Sequence, residues 1–241
     1  MTILIISDIH ANKEALDAVL ADAGDYDEAW CLGDLVDYGP NPNECIETVR
    51  NLPNLTCLMG NHDAAVLGKL DLSTFNREAF TSVTWTKEQV TPQNLAFLDK
   101  LHERVDLESV TLSHGSPRNP IWEYLLDINT VLANFSFFTT PYCFVGHTHI
   151  PIHYAYNGNG HVDWSVPASR QSFVINSHSI LNPGSVGQPR DRDPRAAYAL
   201  YSPETGSWEA RRVKYNIKAV QRKILKAGLP QRHALRLEEG W

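Results

Sequence analysis

Two histidines stand two residues apart in the stretch GHTHIP at 146–151, directly after the apolar run at 142–145. Asp8 and His10 form a second polar pair with the same spacing, and they follow the apolar run at 2–6. Residues two apart in an extended segment point to the same side, so we expect each pair to aim its two side chains together. Imidazole and carboxylate groups that converge in this way are typical ligands of a transition-metal ion.

Three more polar motifs also follow strand-like runs. GDLVDYG, GNHD and HGS each begin where such a run ends. The carboxyl ends of the strands in an α/β sheet lie at one edge, where ligands bind, so we expect all five motifs to meet at one rim. That rim would carry seven potential metal ligands, which are Asp8, His10, Asp34, Asn61, His114, His147 and His149.

Seven ligands are more than one ion uses, so the set predicts two ions. The mixture of imidazole and carboxylate groups favours Mn, Fe, Zn, Co or Ni over Ca or Mg, and we put Mn first. Two divalent ions bring four positive charges, Asp8 and Asp34 neutralise two of them, and ligating histidines must be neutral. A surplus of about two positive charges remains, so an acidic protein can hold a pocket that attracts anions.

The composition indicates a globular protein with a sizeable core. The chain has 241 residues, of which 43% are hydrophobic and 20% are charged, and this balance argues against disorder. Its formal net charge of -7 argues against a broad nucleic-acid surface and against binding to an anionic membrane.

The cysteines and the first residues bear on the compartment. None of the four cysteines has CxxC spacing, so neither a thiolate zinc site nor a redox pair is indicated. The chain shows no basic stretch before an apolar run and no apolar run near the roughly 20 residues of a membrane helix. We therefore expect a reduced, cytoplasmic compartment.

The order of elements predicts the fold. Alternating strands and helices fill the first third, a helical insertion follows at 64–101, and short antiparallel hairpins divided by turn residues follow 150. The insertion is predicted to contain two helical pieces, the first capped by Asn76 and the second by Thr91 with Pro92 at its first position. We predict one domain over 1–241, an α/β fold in which two sheets form a β-sandwich flanked by helices (α/β/β/α). Predicted strands lie at 2–6, 28–32, 55–59, 110–113, 142–145, 153–156, 172–176, 179–181, 196–201 and 207–213, and helices at 12–23, 43–52, 129–137 and 217–227.

The full ordered set of motifs resembles the calcineurin-like metallophosphoesterases. NPGSVGQPRD at 182–191 and HGSPRNPIWEYL at 114–125 are similar to the small prokaryotic phosphodiesterase branch of that family. The resemblance implies that His62 faces the substrate and that Asp63 orients His62. It also implies two metal sites that share Asp34, one completed by Asp8, His10 and His149 and the other by Asn61, His114 and His147.

The reaction that we expect is hydrolysis of a small phosphoester by a hydroxide bridging the two ions, with no Ser or Cys nucleophile. A phosphodiester is the first choice of substrate. Phosphomonoesterase or protein phosphatase activity and dinucleoside polyphosphate hydrolysis remain as alternatives. The rival from another class is a non-catalytic metal-binding scaffold. A scaffold should lack at least one of the seven ligands or His62, and this chain has all of them.

Several other residues are open to more than one interpretation. Arg190 and Arg118 lie in loops near the motifs and could contact phosphate, whereas Trp122 and Tyr124 more often pack than bind a base. Asp37 is expected to brace its loop. The segment 64–101 could cover the site, be a plain insertion or form a dimer contact, and the sequence leaves a homo-oligomer open.

Overall fold

Two six-stranded mixed sheets stack face to face in the computed structural model, which describes residues 1–241 apart from the side chain of Thr74. Helices cover both outer faces, so the predicted α/β/β/α sandwich is confirmed. In spatial order, the first sheet consists of β3 (Thr56–Cys57), β2 (Glu28–Cys31), β1 (Ile3–Ile6), β11 (Ala196–Ser202), β12 (Ser207–Val213) and β9 (Gln171–Val174).

The second sheet and the helices complete the layers. Its strands are, in spatial order, β4 (Arg104–Asp106), β5 (Val110–Ser113), β6 (Tyr142–Phe144), β10 (His178–Asn182), β7 (Ile152–Tyr156) and β8 (Val162–Ser165). The helices are α1 (Lys13–Ala23), α2 (Pro42–Arg50), α3 (Asn61–Val66), α4 (Arg77–Gln89), α5 (Pro92–Leu98), α6 (Ile128–Asn134), α7 (Ile217–Lys226) and α8 (Gln231–Glu239), with a 3-10 turn at Leu72–Thr74.

Strand β1 shows why its sequence is apolar without a break. Ile3 and Ile5 pack in the core between the sheets, where they join Phe144 of the second sheet. Leu4 and Ile6 point the other way and pack in the core under α1 and α2. Both faces of the strand are therefore buried, which is the environment that a continuous run of β-branched and aliphatic residues favours.

Helix boundaries follow the capping residues that the sequence offers. Asn76 accepts hydrogen bonds from the backbone N–H groups of Glu78 and Ala79 at 3.1 and 3.0 Å and begins α4. Thr91 caps α5 in the same way, with Pro92 at the first helical position. Both predicted starts in the 64–101 segment are confirmed, and the other predicted elements lie within three residues of the observed ones.

Besides α3 and the 3-10 turn, three elements were not predicted. β4 and β8 are short and half-exposed edge strands, so they lack the apolar pattern that marks a buried strand. Helix α8 follows Pro230 and has no side-chain cap, so no start signal precedes it. These omissions matter because α8 lies beside the polar loops described below.

The strands after residue 150 pair mostly as predicted. β7 with β8, β11 with β12 and β12 with β9 are antiparallel. β10 is an exception, since it pairs antiparallel with β7 but parallel with β6. The later strands thus complete the two sheets to which the earlier strands, those that precede the polar motifs, belong.

Two observations concern the chemistry of the whole chain. All four cysteines are free, and Cys31, Cys45 and Cys143 are buried. Across the described part of the chain, no helix combines the length and the apolar character that crossing a bilayer requires.

Candidate metal centre

The polar motifs meet where the carboxyl ends of strands from both sheets come together. The Asp8 N–H donates to the Gly33 carbonyl at 3.0 Å, which ties the loop after β1 to the loop after β2. The Gly146 N–H donates to the His114 carbonyl at 2.8 Å, which ties the loop after β6 to the loop after β5. The sequence predicted one rim, and the structure builds it from two stacked sheets.

The first group of side chains lies on the side of β1. Its members are buried, and each offers one nitrogen or oxygen within 4.8 Å of the others: Asp8, His10, Asp34 and His149. His149 Nε2 is 3.2 Å from His10 Nε2 and 3.3 Å from Asp8 Oδ1. Asp34 Oδ2 is 3.6 Å from His10 Nε2.

The second group shares Asp34 with the first. Asp34, His114 and His147 again offer atoms within 4.8 Å of one another. His114 Nε2 lies 3.3 Å from Asp34 Oδ2 and 3.2 Å from His147 Nδ1. Asn61 Oδ1 completes this group at 3.1 Å from His114 Nε2. The structure therefore brings together all seven residues that the sequence singled out, in the two sets that the resemblance implies.

The tautomers of the histidines test whether a cation fits. His10 Nδ1 faces the Val36 carbonyl at 3.2 Å, and His149 Nδ1 faces the Gln188 carbonyl at 2.6 Å. A carbonyl only accepts, so each Nδ1 carries the proton and each Nε2 presents a bare lone pair. The two bare nitrogens face each other, and a cation between them satisfies both. Ligand atoms at right angles around one ion are about 3 Å apart, since each lies roughly 2.1 Å from it.

The carboxylate of Asp34 also fits a bound cation. Its Oδ1 accepts the His62 N–H at 2.9 Å. Its Oδ2 is buried and has no hydrogen-bond partner among the described residues, although it belongs to both groups. Because a buried charged oxygen without a partner is costly, the donor set fits cations on both sides of Asp34.

The protonation of the histidines also fits ligation. Burial lowers the pKa values of His10, His147 and His149 well below their usual range, so all three are neutral, as metal ligands must be. His114 differs: burial lowers its pKa, but the charges of Asp34 and Asp8 outweigh burial and raise it to about 9. A cation held next to Asp34 would take the place of that proton.

The carboxylates respond to the same surroundings. Burial raises the pKa of Asp8 to about 6. Burial also raises the pKa of Asp34, but the imidazoles of His114 and His62 outweigh it and hold the pKa well below its usual range. Asp34 is therefore the charged anchor at the centre of the two groups.

The backbone at the ligands corrects one step of the sequence argument. Asp8, His10, Asp34, His147 and His149 have φ angles of 53°, 48°, 55°, 65° and 60°. These are left-handed conformations, which are uncommon for residues other than glycine and which concentrate at functional sites. Alternation along an extended strand does not apply here. Asp8 and His10 belong to the same group, as expected. His147 and His149 belong to different groups, so the prediction that this second pair aims its side chains together is wrong.

Two glycines allow the loops to approach closely. A Cβ on Gly60 would lie 2.0 Å from Asp34 Oδ1, and a Cβ on Gly146 would lie 2.0 Å from Ser7 Oγ. Neither contact is sterically allowed. Both positions therefore need glycine because side chains at the site occupy the space of a Cβ.

His62 is oriented by Asp37, and the expectation that Asp63 orients it is wrong. His62 Nδ1 lies 2.6 Å from Asp37 Oδ2, and both side chains are buried. The ring of His62 lies edge-on to His10, with centroids 5.0 Å apart. Burial lowers the pKa of His62, but Asp34 and Asp37 outweigh it and raise the pKa above its usual value.

Asp63 has a different task. Its two oxygens accept hydrogen bonds from the backbone N–H groups of Asp34, Leu35, Val36 and Gly60 at 2.9 to 3.3 Å. Burial raises the pKa of Asp63 to about 7, while these donors favour its ionised form. Asp63 therefore braces the loop that carries Asp34, because its position in the first turn of α3 points it into that loop.

The stretch 182–191 hydrogen-bonds to the loop after β1 and to the loop after β6, both of which carry ligands. Ser185 Oγ donates to the Asp8 carbonyl at 2.8 Å, and Asn182 Nδ2 donates to the Gly146 carbonyl at 2.6 Å. The Gln188 carbonyl holds His149, as described above. The sequence marked this stretch only through a family resemblance, and the structure supplies its physical role.

The two arginines singled out from the sequence lie in different places. The backbone N–H of Arg190 donates to the His149 carbonyl at 3.4 Å, so Arg190 lies beside the site. The guanidinium of Arg118 is paired with Glu123 and lies over the ring of Phe137 at 5.8 Å. The structure thus does not bring Arg118 to the ligand groups.

Aromatic residues surround the ligands, and of those named here only Tyr124 was singled out from the sequence, as a residue that more often packs. The Tyr38 ring lies 4.7 Å from His10 and 4.5 Å from His62. Tyr124 lies 3.8 Å from His147, ring centroid to ring centroid, and is 41% exposed. Phe75, at the end of the 3-10 turn in the 64–101 segment, contacts His62 at 5.4 Å. Such long-range contacts leave no local signal in the sequence.

A family model described as the calcineurin-like phosphoesterase superfamily domain matches residues 1–206. The fold and the His/Asp site described above agree with that match, and the chain belongs to this superfamily.

The chain is 40% identical to an uncharacterized protein of Methanocaldococcus jannaschii over 237 residues, which cover 95% of this chain and 94% of the relative. It is also similar to the crystal structure of a metallophosphoesterase from Sphaerobacter thermophilus, with a TM-score of 0.93, 44% identity and coverage of 100% of this chain and 99% of that one. A stretch of 74 residues is 35% identical to a symmetrical bis(5'-nucleosyl)-tetraphosphatase of Glaesserella parasuis and covers 29% of this chain and 27% of that relative.

Proposed function

We propose that this chain hydrolyses small phosphoesters, with phosphodiesters preferred, and that two divalent transition-metal ions occupy the two ligand groups, with Mn first among the candidates. The observation that carries the proposal is the position of Asp34. Its Oδ2 is a member of both groups and has no hydrogen-bond partner among the described residues. Two ions bound there would activate water at neutral pH and neutralise the non-bridging oxygens of a phosphate group.

The residues of the chain divide this work. Asp8, His10, Asn61, His114, His147 and His149 complete the two groups around Asp34. His62 has its Nδ1 held by Asp37, so its Nε2 is the atom that would donate a proton to the leaving oxygen of the substrate. Asp63 has a supporting part, because it holds the loop of Asp34 in place.

A second candidate is the hydrolysis of dinucleoside polyphosphates. The 35% identity over 74 residues with a bis(5'-nucleosyl)-tetraphosphatase favours it, although this stretch covers only 29% of the chain. Phosphomonoesterase or protein phosphatase activity needs the same ligand set, and a non-catalytic scaffold needs no His62 at all. The proposed partner is a small phosphoester, with a cytoplasmic location and without a membrane or nucleic-acid surface.

The test begins with the purified chain loaded with Mn²⁺. We expect two metal ions per chain by elemental analysis and faster turnover of bis-p-nitrophenyl phosphate than of p-nitrophenyl phosphate. A diadenosine tetraphosphate assay under the same conditions separates the second candidate. Two bound metals without hydrolysis of any phosphoester would instead favour the scaffold.

A further inference from the structure

A row of aromatic rings leads away from His62, the proposed proton donor. The ring of Phe75 lies edge-on to the ring of His62, with centroids 5.4 Å apart and planes at 83°. The ring of Trp122 follows, with its centroid 5.4 Å from that of Phe75. We call Phe75 and Trp122 the aromatic pair. The pair continues the polar site into an apolar surface that begins at His62.

Two separate parts of the chain build the aromatic pair. Phe75 directly follows the 3-10 turn in the 64–101 segment. Trp122 lies in the loop after β5, and the same loop begins with the ligand His114 and carries Tyr124, whose ring packs on the second ligand group. The 64–101 segment therefore reaches the site through Phe75, where it meets a loop that also supplies a metal ligand.

The loop that carries Trp122 is braced by the next residue, Glu123. Its carboxylate accepts hydrogen bonds from Ser116 Oγ at 2.6 Å and from Asn134 Nδ2 at 2.7 Å. It also forms an ion pair with Arg118. A ring on a braced loop is already in position, so little conformational entropy is lost when it binds a ligand.

Both rings of the aromatic pair are only partly buried. Phe75 packs against the core under α1 and α2, and Trp122 packs against Met59 and Ile121. Phe144, in the core between the sheets, is by contrast fully buried. Each ring of the pair thus rests on the protein and keeps part of its surface accessible beside the site. Partly exposed aromatic rings are a surface on which another flat ring can stack.

We infer that the aromatic pair binds a flat ring carried by the leaving group of the substrate. The inference rests on the proposed phosphoesterase function and narrows its substrate class. His62 donates its proton to the leaving oxygen, so the group attached to that oxygen lies beside Phe75 and extends towards Trp122. The preferred substrates then have an aryl or a nucleoside leaving group, rather than an alkyl group or a sugar alone.

Binding is measured with phosphonates in which a CH₂ group replaces the ester oxygen, so that nothing is hydrolysed. The Mn²⁺-loaded chain is titrated in a calorimeter with two couples of ligands, benzylphosphonate with ethylphosphonate, and the phosphonate analogues of adenosine 5'-monophosphate and ribose 5-phosphate. The ring-bearing member should bind about five- to hundredfold more tightly in at least one couple, because rings stack on aromatic side chains. A preference in the first couple assigns an aryl leaving group, and a preference in the second assigns a nucleoside.

Substitutions in the pair test where that preference comes from. Trp122→Leu and Phe75→Leu each remove a flat ring but keep an apolar side chain, and each should lower the preference at least about fivefold. Trp122→Phe keeps a ring and should keep most of the preference. Trp164→Leu is the matched control, because Trp164 lies on β8 and is 60% exposed, and it should leave the preference unchanged.

Equal binding within both couples, or a preference that both leucine variants retain, would overturn the aromatic subsite. Turnover separates this failure from a failure of the proposed function. A chain that shows the ring preference but hydrolyses no phosphoester keeps the subsite and loses the proposed reaction. A chain that hydrolyses bis-p-nitrophenyl phosphate but binds both members of each couple equally keeps the reaction and loses the subsite.

Discussion

The two ligand groups of the candidate metal centre are held in different ways. In the first group, both imidazoles donate their outer N–H to a backbone carbonyl, that of Val36 for His10 and that of Gln188 for His149. In the second group, His114 is held in this way by the Leu32 carbonyl, whereas His147 Nε2 has no partner among the described residues. The half-exposed ring of Tyr124 covers His147 instead.

This difference predicts unequal affinity. Hydrogen bonds to the outer nitrogen of a ligating histidine fix its ring and raise its basicity, and their loss typically costs about 10–100-fold in metal affinity. The first group has two such bonds and the second has one. We therefore expect the first site to fill at a lower metal concentration than the second.

The largest effect is expected from Asp34, the residue that the groups share. Asp34→Asn removes the central negative charge from both sites, so activity should fall by at least about 10³-fold, since Lewis-acid stabilisation is worth several kcal/mol. Elemental analysis should show loss of metal from both sites. Retention of one full equivalent of metal would mean that Asp34 belongs to one group only.

His62 lies outside both groups, so its removal should separate catalysis from metal binding. His62→Ala should lower kcat by ~10²–10⁴-fold while leaving two metals bound. Asp37→Asn should lower kcat less, because His62 remains but loses the partner of its Nδ1. His161→Ala, which changes an exposed histidine in the β7–β8 turn, is the control. Loss of metal from the His62 variant would argue against its assignment as a proton donor.

Ser185 supports the first group and offers a milder test of it. Its buried hydroxyl donates to the Asp8 carbonyl and accepts the Gln188 N–H, each at 2.8 Å. Ser185→Ala should weaken metal binding at the first site by about tenfold. Calorimetric metal titration should then show the two affinities moving closer together, and Ser136→Ala, in an exposed loop, should leave both unchanged.

The smallest effect is expected from Tyr124, which packs on the second group. Tyr124→Ala removes the ring over His147, and a contact of this kind is worth about 0.5–1.5 kcal/mol, so the second affinity should fall roughly two- to tenfold. Tyr124→Phe keeps the ring and should keep the affinity. If Tyr124→Ala weakened the first site instead, the proposed asymmetry would be incorrect.

The ligand set could be predicted from the sequence because each ligand directly follows an apolar strand. A strand followed by a polar motif is a local sequence pattern. Because parallel strands have their carboxyl ends at the same edge of a sheet, that pattern is enough to place the ligands together. The two sheets were predictable for a similar reason, since strands such as β1 are apolar on both faces and the later strands are divided by turn residues.

What the sequence did not reveal depends on backbone geometry and distant contacts. The left-handed φ angles of His147 and His149 send their side chains to different groups, and spacing alone suggested one. The choice of Asp37 over Asp63 as the partner of His62 follows from the direction of α3. Helix α8 brings His233 beside Tyr38 from far along the chain, and no motif or cap marks that helix in the sequence.

The most direct test of the central claim is anomalous diffraction from a crystal of this chain grown with Mn²⁺. We predict two manganese peaks, one on each side of Asp34 Oδ2, with His10 and His149 at the first and His114 and His147 at the second. A single peak, or a pair of which only one contacts Asp34, would contradict the account of two sites joined by one carboxylate.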